Sequence, residues 1–190
     1  MRLTVLLGTT VAFALGVGPV AAQVTNYQTP GNLEATSPLG CVSLSKVTDQ
    51  LTPADIYPGM AACIKLGENQ KAALLFAVAG AFGYFDGLRV ADPSARQAAS
   101  VVEMNAVSDL TTEQKLAFKK VLFATLDSNS AGFKSVCSAV GRLGPPKYFP
   151  TYMVQHGMSA FLGGSRHGLN PNFDPTQGWR TSVTSFLHCP

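Results

Sequence analysis

Apolar positions recur at three- and four-residue spacing through most of the chain, and polar caps punctuate them. The strongest helix start is Leu51-Thr52-Pro53-Ala54-Asp55-Ile56. Thr52 is placed to cap, Pro53 occupies the first helical position, and Asp55 faces the positive helix end, while Leu51 and Ile56 can close as a hydrophobic staple. This pattern predicts a helix to about residue 66, stopped at Gly67. A second helix follows over about 68–85, with Leu75, Val78, Ala79 and Phe82 on one stripe and Ala72, Phe76 and Ala79 on another. It is apolar nearly all round, which places it at the centre of a core.

Further caps divide the rest. Asp92-Pro93 opens a helix to about 107 with Ala95, Ala98, Ala99, Val102 and Ala106 inward; Thr111 and Gln114 form a capping box for another to about 126. Lys115, Lys119 and Lys120 lie mostly on its outer face, as a solvated surface. A shorter helix spans about 131–140 and ends at Gly141 and Gly144, Pro150 opens one over 152–161, and Asp174-Pro175 opens the last, with Trp179, Val183, Phe186 and Leu187 in one stripe. With no run of alternating β-branched residues, the pattern predicts an all-α domain over 52–190, a single bundle of about seven helices. Residues 23–51, rich in Thr, Ser, Gly, Pro and Asn, read as an extended N-terminal arm.

The first 22 of the 190 residues read differently. Met1-Arg2 is positive, a mostly apolar run follows to Val17, Gly16, Gly18 and Pro19 break it, and Val20 and Ala22 suit a signal-peptidase groove. We expect a signal peptide at 1–22, a mature start at Gln23, and a periplasmic or secreted protein without stable membrane insertion after cleavage. The run falls short of the ~20 residues a bilayer requires, and no later segment reaches that length without charges. Composition agrees: 46% apolar and 13% charged residues exclude disorder and long charged coils. The formal charge of +3, lowered by one if Arg2 is removed, with no basic patch, excludes a nucleic-acid partner.

Cys41, Cys63, Cys137 and Cys189 form an even set, which in an oxidising compartment predicts two disulfides. Three pairings are open. Cys41–Cys63 and Cys137–Cys189 are favoured because each joins neighbouring parts of the chain. A metal site using Cys with His156, His167 and His188 is the rival, but no C-x-x-C or H-x-x-H pair exists to start one.

Residues 60–79 resemble one helical hairpin of the tetratricopeptide and Sel1-like families: Gly67 stands at the turn, and Ala72, Phe76 and Ala79 match the spacing of the second helix. The match covers about a tenth of the chain, the first-helix positions depart from the pattern, and there is no second copy. The resemblance implies protein–protein recognition.

Candidate chemistry concentrates in residues 144–174. Tyr148, Phe149 and Tyr152, among prolines and glycines, are the expected anchors of a contact face, with Lys147 and Arg166 at its rim. His156 and His167 are the candidate catalytic pair; Ser159 and Ser165 lie near them, but neither sits in a Gly-x-Ser-x-Gly elbow. Glu68, Asp86 and Glu103 are the acids available for paired-carboxylate chemistry. Asp86, Arg89 and Asp92 are spaced for a local salt bridge at a helix end, tying a turn or forming the polar lip of a cleft. No phosphate loop, nucleotide fingerprint or EF-hand occurs, so no cofactor is implied. The expectation is an exported, non-enzymatic module with a protein partner, in one form an immunity protein or inhibitor that blocks a toxic envelope-targeting enzyme. The alternative is a periplasmic hydrolase or metal-dependent enzyme using His156 and His167.

Overall fold

The computed structural model describes residues 29–163 and 168–190. Among these the chain forms eight α-helices: α1 (Pro53–Lys65), α2 (Asn69–Arg89), α3 (Ala98–Ala106), α4 (Thr112–Thr125), α5 (Ala131–Leu143), α6 (Thr151–Val154), α7 (Met158–Phe161) and α8 (Pro175–Thr181). Short 3-10 turns at Leu44–Lys46 and Pro93–Gln97 and a π-helical turn at Ser182–Phe186 complete the helical content. No strand occurs among the described residues, only an antiparallel bridge of Val90 with Leu169. The fold is all-α. The segment expected to be a signal peptide, and Arg166 and His167, lie outside the described residues.

Helix α2 is the spine. Ala72, Ala73, Leu75, Val78, Ala79, Ala81 and Phe82 are all without exposure. α1 folds back along it after the turn at Gly67, whose φ of +77° suits glycine. α3, α4, α5 and α8 cover its other sides. It also runs four residues beyond the expected end, to Arg89, because Asp86 and Arg89 find buried partners there. At 21 residues α2 is long and apolar enough to cross a membrane by length and mean hydropathy, though it carries Lys71, Asp86 and Arg89, so no later segment among the described residues reaches that length without charges. Its apolar sides are covered by the rest of the fold, as those of a core helix are.

Two expected helices are interrupted. The one expected over 152–161 divides at Gly157, which is extended at φ −74°, ψ 153°. A Cβ there would come 2.6 Å from Asp92 Oδ2, so only glycine lets the Asp92 carboxylate reach the start of α7, where it accepts the Ser159 amide at 2.8 Å. The last helix widens into the π turn after α8. There the buried Ser182 hydroxyl donates to the Gly178 carbonyl at 3.0 Å, and the turn brings Phe186 over Gly80. Asp92 begins a 3-10 turn rather than α3 itself, accepting the Ser94 amide at 2.9 Å.

One carboxylate holds the middle of the N-terminal arm against α1. Asp55 is the third residue of α1 and forms the expected capping box, its Oδ2 accepting the Thr52 amide at 2.8 Å while the Thr52 hydroxyl accepts the Asp55 amide at 3.2 Å. Its Oδ1 accepts the Thr36 amide at 2.7 Å and the Ser37 amide as well, and its carbonyl accepts the Leu39 amide at 2.9 Å. Asp55 is fully buried, so these donors replace water. The arm then crosses α1 at Gly59, where a Cβ would lie 2.7 Å from the Gly40 carbonyl oxygen. Cys41–Cys63 locks that crossing, and Cys137–Cys189 ties the chain's end to α5. Both favoured pairings are present, and they indicate an oxidising, extracytoplasmic compartment.

Asp55→Ala is expected to lower unfolding stability by about 3 kcal/mol, since several buried donors lose their acceptor, and to open residues 29–51 to limited proteolysis. Urea unfolding and peptide mapping of the digest check both. Replacing Cys137 and Cys189, which are 52 positions apart, by Ser should cost about 4 kcal/mol by loop-closure entropy.

Candidate functional site: a cleft along the glycine face of α2

The residues singled out from sequence divide between core and surface. Tyr152 is 1% exposed and Tyr148 is half-buried. Both phenols donate to Asp86 Oδ2 at 2.9 Å. The expectation that Tyr152 anchors an exposed contact face is thus corrected: the buried Asp86 carboxylate needs donors, and the chain turns both rings inward to supply them. Phe149 remains 51% exposed. Lys147 pairs with Asp49 at 2.7 Å and holds that carboxyl below its usual range. His156 meets no nucleophile among the described residues; its Nδ1 lies 3.0 Å from Asn32 Oδ1 of the arm.

Asp86 and Arg89 form the expected ion pair, with Arg89 Nε donating to Asp86 Oδ1 at 2.9 Å and Nη2 2.7 Å from the same oxygen. Asp92 takes no part, being held instead by Ser94 and Ser159. The Ser94 hydroxyl first, then the Ser159 amide, hold its pKa well below the ordinary carboxyl range. The Arg89 guanidinium stands 5.0 Å from the ring centres of both Phe85 and Tyr148. Complete burial raises the Asp86 pKa to about 6, against the opposing pull of Arg89 and the two phenols. This cluster ties α2 to residues 148–152, and its closure leaves it no access for a substrate. Glu68, 18 residues away at the other end of α2, pairs with Lys71 at 3.3 Å, so Glu68 and Asp86 do not form a catalytic pair.

The open site lies on another side of α2. Gly80, Gly83 and Gly87 follow helical spacing and form one face without side chains. α3 runs back along that face: a Cβ on Gly83 would come 2.8 Å from that of Ala99, and one on Gly87 would meet the Arg96 stem at 3.9 Å. The result is a cleft of about 410 Å³. Phe186 stands over Gly80 and stacks on Tyr84 at 5.3 Å between ring centres, and both rings are over a third exposed at the lip.

Besides Ser100 and Tyr84, the polar residues Glu103, Tyr57 and Arg96 line this cleft. Glu103 of α3 is half-buried and makes no ion pair among the described residues; burial raises its pKa. Tyr57 of α1 is 2% exposed, and its hydroxyl lies beside Gly80 with no hydrogen-bond partner among the described residues. Arg96 lines the Gly87 end. An apolar hollow with a few convergent polar groups is the usual form of a ligand site. Sequence reasoning named Glu103 only as one of three acids and missed the cleft. The signal present was the 80-83-87 glycine spacing inside an otherwise apolar helix. No group of three or more His, Cys, Asp or Glu side chains among the described residues is arranged to hold a metal ion.

A carboxyl whose folded pKa exceeds its unfolded value favours the protonated fold. Its contribution is complete below about pH 4 and is lost as pH rises through about 6. Stability should therefore fall over that window by on the order of 2 kcal/mol from Asp86, and Asp86→Asn should remove this component in urea titrations at several pH values. Tyr152→Phe should cost about 1.5–3 kcal/mol and move the window to higher pH. On the cleft face, Gly87→Ala should raise stability by about 0.5–1 kcal/mol, whereas Gly83→Ala should lower it by steric conflict with Ala99; thermal unfolding separates the two.

No family model matches the chain, and neither a curated protein nor a solved structure matches it. Function therefore rests on the geometry of its own side chains.

Proposed function

We propose that this is an exported recognition protein that seats a segment of a partner protein in the α2–α3 cleft. The observation that carries this reading is the cleft itself: an apolar hollow of about 410 Å³ with the stacked Tyr84–Phe186 pair exposed at its lip. Aromatic rings on a rigid frame are effective anchors because they bury large area at little entropic cost. The frame is rigid here because two disulfides and the Asp55 and Asp86 clusters brace it. In its most concrete form the protein is a periplasmic immunity protein or inhibitor, delivered by a signal peptide over residues 1–22, that blocks a toxic envelope-targeting enzyme by steric occlusion. The hairpin resemblance over residues 60–79 is in keeping with protein recognition. Phe149, which lines a smaller hollow of about 210 Å³, offers a second point of contact, with the exposed Lys147 two residues before it.

Gly87→Leu fills the cleft while Gly87 has room for a side chain, and Tyr84→Ala removes half of the lip. Each should reduce partner capture at least tenfold with the thermal midpoint preserved, and hydrogen exchange of the complex should protect α2 and α3. Capture unchanged by both substitutions, or protection confined to other elements, refutes the reading.

A further inference from the structure

The two ends of the cleft differ in charge. Arg96 sits against Gly87 and Ala99 against Gly83, so Glu103, one turn further along α3, falls at the Gly80 end with Tyr57 and Phe186. Seven residues separate Arg96 from Glu103, roughly 10 Å along a helix. They do not neutralise each other: neither makes an ion pair among the described residues. The Gly80 end thus holds a carboxylate with no counter-charge, a phenol hydroxyl with no partner, and an aromatic wall.

Tyr57 makes this more than an acid at the edge of a glycine stripe. Tyr57 is 2% exposed as a residue, and its hydroxyl opens on the cleft rather than being sealed in the core. It meets no hydrogen-bond partner among the described residues and lies 4.0 Å from where a Cβ of Gly80 would stand. A group completing this end must offer a positive charge to Glu103, a polar hydrogen or lone pair to Tyr57, and an apolar stem to the Gly80 floor and the Phe186 ring. Lysine and arginine side chains have that form, a cation on an apolar stem. The Tyr84–Phe186 stack adds faces over which a cation is favoured. Arg96 stands at the far end and does not oppose it.

Building on the recognition reading above, we propose that the Glu103–Tyr57 end of the cleft is a cation subsite that receives a lysine or arginine side chain of the partner protein. The partner's basic residue enters past Tyr84 and Phe186, and its charge meets the Glu103 carboxylate.

The test is an amide-resolved NMR titration of the disulfide-bonded chain with two blocked amino acids, N-acetyl-lysine N-methylamide and its neutral counterpart N-acetyl-norleucine N-methylamide. The lysine probe should shift the amides of Gly80, Gly83 and Glu103 and bind about tenfold more tightly than norleucine. Glu103→Gln should erase that difference while leaving the norleucine response intact, which also reports that the variant is folded. Tyr57→Phe should weaken the lysine probe a few-fold, and Arg96→Gln should not weaken it. Equal binding of the two probes, lysine binding unaffected by Glu103→Gln, or no cleft response to lysine each overturns the cation subsite. If one of these occurs while Gly87→Leu still abolishes partner capture, recognition through the cleft stands and only the identity of its occupant falls.

Discussion

Helix α2 is apolar along most of its length and buried over most of its surface, and that constraint organises the molecule. An apolar 21-residue helix gains stability only if other elements surround it, and the chain after it is arranged to do so. α1 covers it first, through a tight turn; α3, α4 and α5 follow, and α8 with its π turn closes the remainder. The disulfides enter this packing through the buried Cys63 and Cys189. They restrain the two parts least able to fold onto the core by burial alone, the arm before α1 and the segment after α8.

Burying such a helix also forces polar groups inside, and two aspartates show different solutions. Asp55 is satisfied mainly by backbone amides and hydroxyls, so its carboxylate acts as a local organiser of arm and cap together. Asp86 is satisfied by one guanidinium and two phenols from residues 62 and 66 positions away. Burial of the second carboxyl outweighs these partners, which is why its pKa moves up to about 6. This cluster joins the end of α2 to the turn before α6, and it explains why the tyrosines there point inward.

The same burial leaves one side of α2 open in a controlled way. Where glycines replace side chains, α3 approaches closely at Gly83 and diverges around it, so the helix surface becomes the floor of a cleft. Tyr57, Glu103 and Phe186 come from three different elements, and none is close to another in sequence. Their charge and hydrogen-bonding capacity stay free because packing around α2, rather than pairing among themselves, fixes their positions.

Local signals in the sequence carried most of the architecture. The capping boxes at Thr52 and Thr111 place two helix starts because a cap is satisfied within three residues. The periodicity of Leu75, Val78, Ala79 and Phe82 marks the central helix because burial repeats with the helical turn. The even cysteine count and their neighbourhood along the chain led to both pairings. The inward turn of Tyr152, the second role of Asp55, the break at Gly157 and the cleft at Glu103 were settled only by the tertiary fold. Each depends on an atom tens of residues distant, and a carboxylate's partners, or their absence, exist only once the helices have packed.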